Sequence, residues 1–257
     1  MAEQHPYERF SGLTYEAFRK MASDPMLTSI ERSGFPESLR AGRERAILAD
    51  VCSKLTSLDV PGTAVLDIGC GANPLTEALI QHCHDRDQRL TLVDSEEVLS
   101  ALSDRAAIAN GRLRLVAGRY PDIPELKGEE AEQYHAILTY SVFQYVFTEG
   151  NATNFIDSAL NLLRPSGRLL VGDLPNSSMR NRFLVSDNGH EFHRTYTGET
   201  DGPRVPWPIL PRGEIDDGVL FGIIARARAA GFHAWIVPQS SELPMANRRE
   251  DLLCQRP

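Results

Sequence analysis

An α/β fold built on a mostly parallel sheet is what the sequence predicts, and three observations carry that prediction. From Gly62 onward, short apolar runs alternate with amphipathic stretches, the pattern of strand–helix–strand units. The run Val65-Leu66-Asp67-Ile68-Gly69-Cys70-Gly71 reads as a strand that ends in a glycine loop and opens a helix. One such unit further along, Asp94 closes the next apolar run.

Strands are expected at 63–67, 89–93, 113–116, 135–139 and 168–171. Between the first two, Pro74 suits a first helical turn, where its missing N–H costs nothing, and Leu75, Leu79 and Ile80 follow on one face. Ile156, Ala159, Leu160, Leu162 and Leu163 form a second apolar face before Arg164-Pro165-Ser166-Gly167 stops that helix. A last helix at 218–230, a strand at 232–237 and an apolar run at 251–254 complete the chain.

Two regions depart from this alternation. Residues 1–60 read as a helical cap, with Leu39, Ile47, Leu48, Val51 and Leu55 at helical spacing and Gly34-Phe35-Pro36 as a breaker; residues 61–257 form the main domain. Within it, 174–216 lacks a period and is dense in Arg, His, Gly and Pro, including Pro203-Arg204-Val205-Pro206-Trp207-Pro208. It reads as an insertion over the site, since long loops of this kind are usually functional.

Composition bounds the partners. The chain is 42% hydrophobic without a long apolar run, so it reads as a globular domain with no membrane span. The start, Met1 to Glu8, lacks the basic and apolar blocks of a secretory signal, and a cytoplasmic location is expected. Cys52, Cys70, Cys83 and Cys254 form no CxxC pair and have no tight spacing with histidine, so neither a disulfide nor a bound metal is expected. A formal net charge of −8 opposes the field of a polyanion, which points away from nucleic acid and toward small molecules. Oligomeric state is left open, a homodimer among the options.

Glycine at 69 and 71 lets backbone approach a ligand closely, and the following helix offers unpaired N–H donors. Asp94 can accept both hydroxyls of a ribose. Together they mark a dinucleotide or an S-adenosylmethionine (SAM) site. A dinucleotide loop would favour a third glycine near Asn73, whereas this one reads Gly69-Cys70-Gly71-Ala72-Asn73-Pro74.

At this point the chain resembles the class I SAM-dependent methyltransferases. VLDIGCGAN is similar to the family's first motif, LTLVDSEEVL to its second, LRLVAGRYPDIP to its third, AILTYSVFQYV to its fourth, and LLRPSGRLLVGD to the fifth strand and its approach. The resemblance runs in order from about residue 62 to the end. The stretches Gly172 to Asn176 and Leu243 to Asp251 also resemble a bacterial subgroup of small-molecule and sugar pathways. The resemblance implies a Rossmann-like seven-stranded sheet with helices on both faces and an antiparallel last strand, with SAM across the strand ends. It places Asp67, Gly69, Cys70 and Gly71 at the methionyl part, Asp94 and Ser95 at the ribose, and Gly118, Arg119 and Tyr120 at the adenine. Tyr140 and Ser141 would border SAM, and Gln144 and Tyr145 the acceptor. Arg119 departs from the pattern, since many members carry an acid there.

Methyl transfer from a sulfonium is an in-line displacement that chiefly needs alignment and exclusion of water. If the acceptor is a hydroxyl, a base helps, and His190 and His193, three apart in the insertion, are the candidates. Solvated or capping histidines are the plainer alternative. Among the insertion's arginines (Arg180, Arg182, Arg194, Arg204), Arg182 and Arg194 are candidates for holding an anionic group on the acceptor, against a merely solvated loop. Arg248 and Arg249 are expected to pair with Glu250 or Asp251. Phe10, Tyr15, Phe18 and Phe35 are expected to pack the cap, which can close an acceptor pocket. An O-methyltransferase of small molecules is the leading function. An NAD-dependent oxidoreductase and a SAM-binding scaffold are the alternatives.

Overall fold

The computed structural model describes residues 10, 12–109, 111–127, 133–205 and 213–257. The start of the chain, read above for a signal, and Pro206 to Pro208 of the proline-rich run lie outside the described residues. Seven strands form one sheet: β1 (Ala64–Ile68), β2 (Arg89–Asp94), β3 (Leu113–Ala117), β4 (Tyr134–Tyr140), β5 (Leu163–Pro175), β6 (His233–Pro238) and β7 (Arg249–Gln255). Their order is β3-β2-β1-β4-β5-β7-β6, and β7 alone runs antiparallel to its neighbours, as the resemblance implied.

The helices are α1 (Tyr15–Ala22), α2 (Ser29–Arg32), α3 (Glu37–Arg40), α4 (Glu44–Lys54), α5 (Pro74–His84), α6 (Glu96–Ser100), α7 (Ser103–Ile108), α8 (Phe143–Glu149), α9 (Ala152–Asn161), α10 (Ser177–Leu184), α11 (Asp187–Thr197) and α12 (Asp217–Ala229). Alternation along the central strands explains why they cover both faces. Val65, Ala136 and Leu138 point into a core completed by α4 and α5, with Ile47, Val51 and Leu79. Leu66, Ile68 and Ile137 point the other way, into a core completed by α8, α9 and α12 through Phe143, Phe155 and Leu220. A sheet buried on both sides needs near-continuous apolar strands, and all five residues of β1 are buried, Asp67 included.

After β3 the chain returns to lay β4 on the far side of β1, so the strand order reverses between β1 and β4. A crevice opens at the carboxyl ends of strands at such a switch point. Asn73 shapes its floor: its side chain accepts from the N–H groups of Leu75 (2.9 Å) and Thr76 (3.3 Å), and Pro74 takes the first helical position of α5.

Element boundaries differ from expectation in two places. The helix expected to include Leu162 and Leu163 stops at Asn161, because Leu163 already pairs with Tyr134 and β5 runs on to Pro175. The insertion expected to be irregular folds into α10 and α11, capped by Asn176 and Ser186. In α11 only Gly189 is buried, so no apolar period announced it. The cap also divides: α4 joins the sheet-flanking layer, while α1 to α3 lie over the strand ends, α1 tied to α6 by Arg19 and Glu97 (2.5 Å). Among the described residues, no helix is long and apolar enough to cross a membrane.

Candidate functional site

A cavity of about 350 Å³ opens at the carboxyl ends of β1, β2 and β4 and is closed by α1 to α3. Its floor is the loop after β1. Gly69 has φ +74°, a region only glycine enters without strain, and its N–H donates to the carbonyl of Val93 at 2.8 Å. A Cβ at this position would sit 2.6 Å from Cγ2 of Val142, so the loop can pass under the start of α8 only as glycine. Gly71, at φ +64°, donates its N–H to Oδ2 of Asp94 at 2.9 Å. The Thr76 hydroxyl fixes the carbonyl of Cys70 at 2.6 Å.

Two acids face each other across this loop. Asp94, at the end of β2, accepts from Gly71 and, through Oδ1, from the N–H of Ser95 at 2.7 Å; burial raises its pKa and these two bonds oppose the rise. Asp67 is 5% exposed and lines the cavity, and no hydrogen bond or ion pair reaches its carboxylate among the described residues. Burial and the neighbouring Asp94 push its pKa up to about 8.

Most residues expected at the cofactor come together here: Asp67, Gly69, Cys70, Gly71 and Asp94, then Gly118, Arg119 and Tyr120 after β3, and Tyr140 and Ser141 after β4, all line the cavity. Ser95 lies beneath as the cap of α6. Arg119 stands 3.8 Å from Glu149 and over the ring of Tyr15, while the ring of Tyr120 packs edge-on against Phe155. Of the residues expected at the acceptor, Tyr145 lines the cavity edge-on to Phe18 at 4.8 Å. Gln144 instead turns back, its amide donating to the carbonyl of Ser141 at 2.8 Å.

The described residues of the insertion add nothing to the cavity lining. His190, His193, Arg182 and Arg194 lie on α10 and α11, and none lines the cavity. His193 faces Glu199 at 3.3 Å, His190 and Arg194 are exposed, and Arg182 pairs with Asp217 at 2.5 Å. Arg180 is likewise held by Glu214 at 3.1 Å.

Sequence reasoning missed the wall above β4 and β5. Ser141 and Asp173 both adopt positive φ (62° and 60°), and Ser141 donates its N–H to the carbonyl of Gly172 at 3.0 Å. Two non-glycine residues in that region, side by side at strand ends, are a local cost that surrounding structure must impose. Asp173 carries the imposing contacts: its carboxylate accepts from the Ser141 hydroxyl and from Arg40 at 3.3 Å and is ion-paired with Arg249 at 2.9 Å, whose Nη1 donates to the Asp173 carbonyl at 2.9 Å. The expected pairing of Arg249 with Glu250 or Asp251 is therefore corrected. Asp251 is taken by Lys54 (2.7 Å), Gln239 (2.9 Å) and the Asp173 N–H (2.8 Å), and Glu250 by Asn176. Arg248 stacks over Phe183 and Phe192. Tyr15, Phe18 and Phe35 of the cap line the cavity as well as packing. Away from the cavity, Cys52 and His82, remote in sequence, approach to 3.8 Å, with His82 Nε2 held by the carbonyl of Leu58 at 2.9 Å.

Residues 65–167 match the family described as "Methyltransferase domain". The ubiquinone biosynthesis O-methyltransferase of Xylella fastidiosa (strain M23) is 27% identical over 143 residues, covering 56% of this chain and 53% of that protein. The chain thus spans about half the length of the curated relatives it matches. A SAM-dependent methyltransferase from Aquifex aeolicus superposes with a TM-score of 0.55 at 12% identity, covering 95% of this chain and 98% of that one. An O-methyltransferase family protein from Burkholderia thailandensis gives 0.53 at 17%, covering 95% and 63%. At such identities the structural likeness is one of fold. The residues present fit SAM, the cofactor named for the Aquifex protein: a glycine floor that a Cβ would block, an acid at the end of β2, and a buried carboxylate with no cation beside it among the described residues.

Proposed function

We propose, from the premise that this chain belongs to the class I SAM-dependent methyltransferases, that it transfers a methyl group from SAM to an oxygen of a small molecule. The observation that carries the reading is the unpaired, cavity-lining Asp67 beside the Gly69–Gly71 floor, in the same cavity that Ser141, Tyr145 and the cap aromatics close. The choice of oxygen is supported by the likeness to an O-methyltransferase.

When bound, SAM supplies an electrophilic methyl on a sulfonium. In this reading Asp94 releases backbone partners to accept the ribose hydroxyls, the Gly69 and Gly71 backbone seats the methionyl part, and Asp67 provides the missing counter-charge. Gly118, Arg119 and Tyr120 border the adenine. Because strand order places β4 across β1 from the ribose end, Tyr140, Ser141 and Tyr145 face the methyl and hold the acceptor. Phe18 and Phe35 exclude water above it, and the exclusion strengthens every electrostatic contact inside.

Calorimetric titration with SAM, followed by assay of S-adenosylhomocysteine release over a panel of phenols and carboxylic acids, tests the reading. One-site binding with turnover on at least one acceptor is expected. Folded protein that binds no SAM sinks the reading. Binding without turnover on any acceptor leaves the alternative of a SAM-binding scaffold, which the absence of any histidine from the cavity lining among the described residues favours.

A further inference from the structure

Arg40, Asp173, Arg249 and Ser141 form a cluster of which Arg40 and Ser141 line the cavity. Arg40 and Arg249 share the single carboxylate of Asp173, which also takes the Ser141 hydroxyl. Two guanidinium groups on one acid leave a surplus of positive charge. The compensating surplus of negative charge, Asp50 and Asp251 on Lys54, belongs to residues that do not line the cavity. The cluster is thus neutral in formal charge, and of its charged members only Arg40 lines the cavity.

The Arg40 side chain is only 14% exposed, stacked at 4.3 Å on the ring of Phe35, and it lines the cavity. Of its nitrogens, Nη1 serves Ser141 and Asp173, whereas Nε and Nη2 have no hydrogen-bond partner among the described residues. A guanidinium fork with a free edge, held flat by an aromatic ring, is preorganised for a planar oxyanion.

Several acids in or beside the cavity already have partners among the described residues. Asp173 holds the Ser141 hydroxyl and two guanidinium groups on Oδ2, and burial raises the pKa of Tyr140 and of Tyr145. Glu149 accepts the N–H of Tyr15, and Glu97 is held by Arg19. Asp67, without a partner among the described residues, and Asp122 line the same cavity.

We infer that Arg40 is the receptor for an acceptor whose reacting oxygen is already an anion when it enters, a carboxylate or acidic phenolate on an apolar, planar frame. The inference rests on the methyltransferase reading above. A lone pair of that oxygen attacks the methyl carbon as the carbon–sulfur bond breaks with its electron pair going to sulfur. A neutral ester or ether and S-adenosylhomocysteine result, and no proton is transferred. Arg40 holds and orients the anion against the Ser141 edge.

The test titrates S-adenosylhomocysteine-loaded protein with benzoate, 4-nitrophenolate and benzyl alcohol by calorimetry. At least one of the two anions is expected to bind about tenfold or more tighter than the neutral alcohol, and which one does so separates carboxylate from phenolate. Arg40→Gln should erase that preference and Arg40→Lys retain part of it, with S-adenosylhomocysteine affinity within about twofold of wild type in both. Equal affinities for anion and alcohol, or no anion binding at millimolar concentration, overturn the inference while leaving the methyltransferase reading intact. So does a loss of S-adenosylhomocysteine affinity in Arg40→Gln with methylthioadenosine unaffected, because Arg40 would then hold the cofactor's carboxylate. Folded wild type that binds no S-adenosylhomocysteine overturns both.

Discussion

After β1 and β2 the cavity floor is shaped by contacts within one short stretch of chain, whereas beyond β4 Arg40 and Ser141 are held by side chains from distant parts of the chain. Gly71 and Asp94, 23 residues apart, meet through one main-chain N–H. Arg40 reaches Ser141 across 101 residues and Asp173 across 133. The glycine-loop side, which the proposal gives to the methyl donor, is a local motif that a sheet of this order positions automatically. The acceptor side exists only once the cap has docked and β7 has inserted. Shared chemistry can therefore be kept on one side while the other is free to change.

The largest effect should come from the acceptor side. Asp173→Ala strands two half-buried guanidinium groups and is expected to destabilise the fold by about 3 kcal/mol in denaturant unfolding, the lower end of the range for breaking a buried pair. If the two sides are independent, the folded variant binds S-adenosylhomocysteine within about threefold of wild type. A collapse of cofactor affinity would show that the division is false. On the donor side, Gly69→Ala forces a side chain into positive φ and against Val142, costing about 1–3 kcal/mol of stability and abolishing measurable SAM binding. Asp94→Ala is expected to weaken SAM binding by about 1.5–3 kcal/mol with little change in stability; an unchanged dissociation constant would remove it from the site.

The fold and the gathering of the glycine-loop residues in one cavity were legible because both rest on short-range patterns: apolar alternation, a strand-to-helix glycine turn with Asn73 and Pro74 behind it, and an acid one unit later. Arg40 was not legible, being the last residue of a four-residue helix whose role depends on a carboxylate 133 residues away. Asp173 and Arg249 stood inside motifs the sequence displayed, but charge spacing along a strand suggested neighbours as partners. The actual partner came from the adjacent strand. The histidines of 190–193 attracted attention by residue type, although α11 carries them outside the cavity.

A pH dependence sharpens the contrast further. Asp67 has a folded-state pKa raised to about 8, so its burial costs the ligand-free fold stability as pH rises from the unfolded value toward 8. A bound cation reverses this by favouring the carboxylate. SAM affinity should therefore rise up to about tenfold per pH unit below 8 and level off above it, with proton release seen as a buffer-dependent calorimetric enthalpy. The smallest effect is expected for His190→Ala and His193→Ala, whose kcat/KM should stay within about twofold of wild type, as for surface substitutions.

The most direct measurement is the titration of the folded protein with SAM at neutral pH and again above pH 8. One saturable site that tightens with pH and releases a proton is the expected result. Absence of binding at both values, or affinity indifferent to pH with no proton released, would contradict the assignment of Asp67 and the glycine floor to the methyl donor.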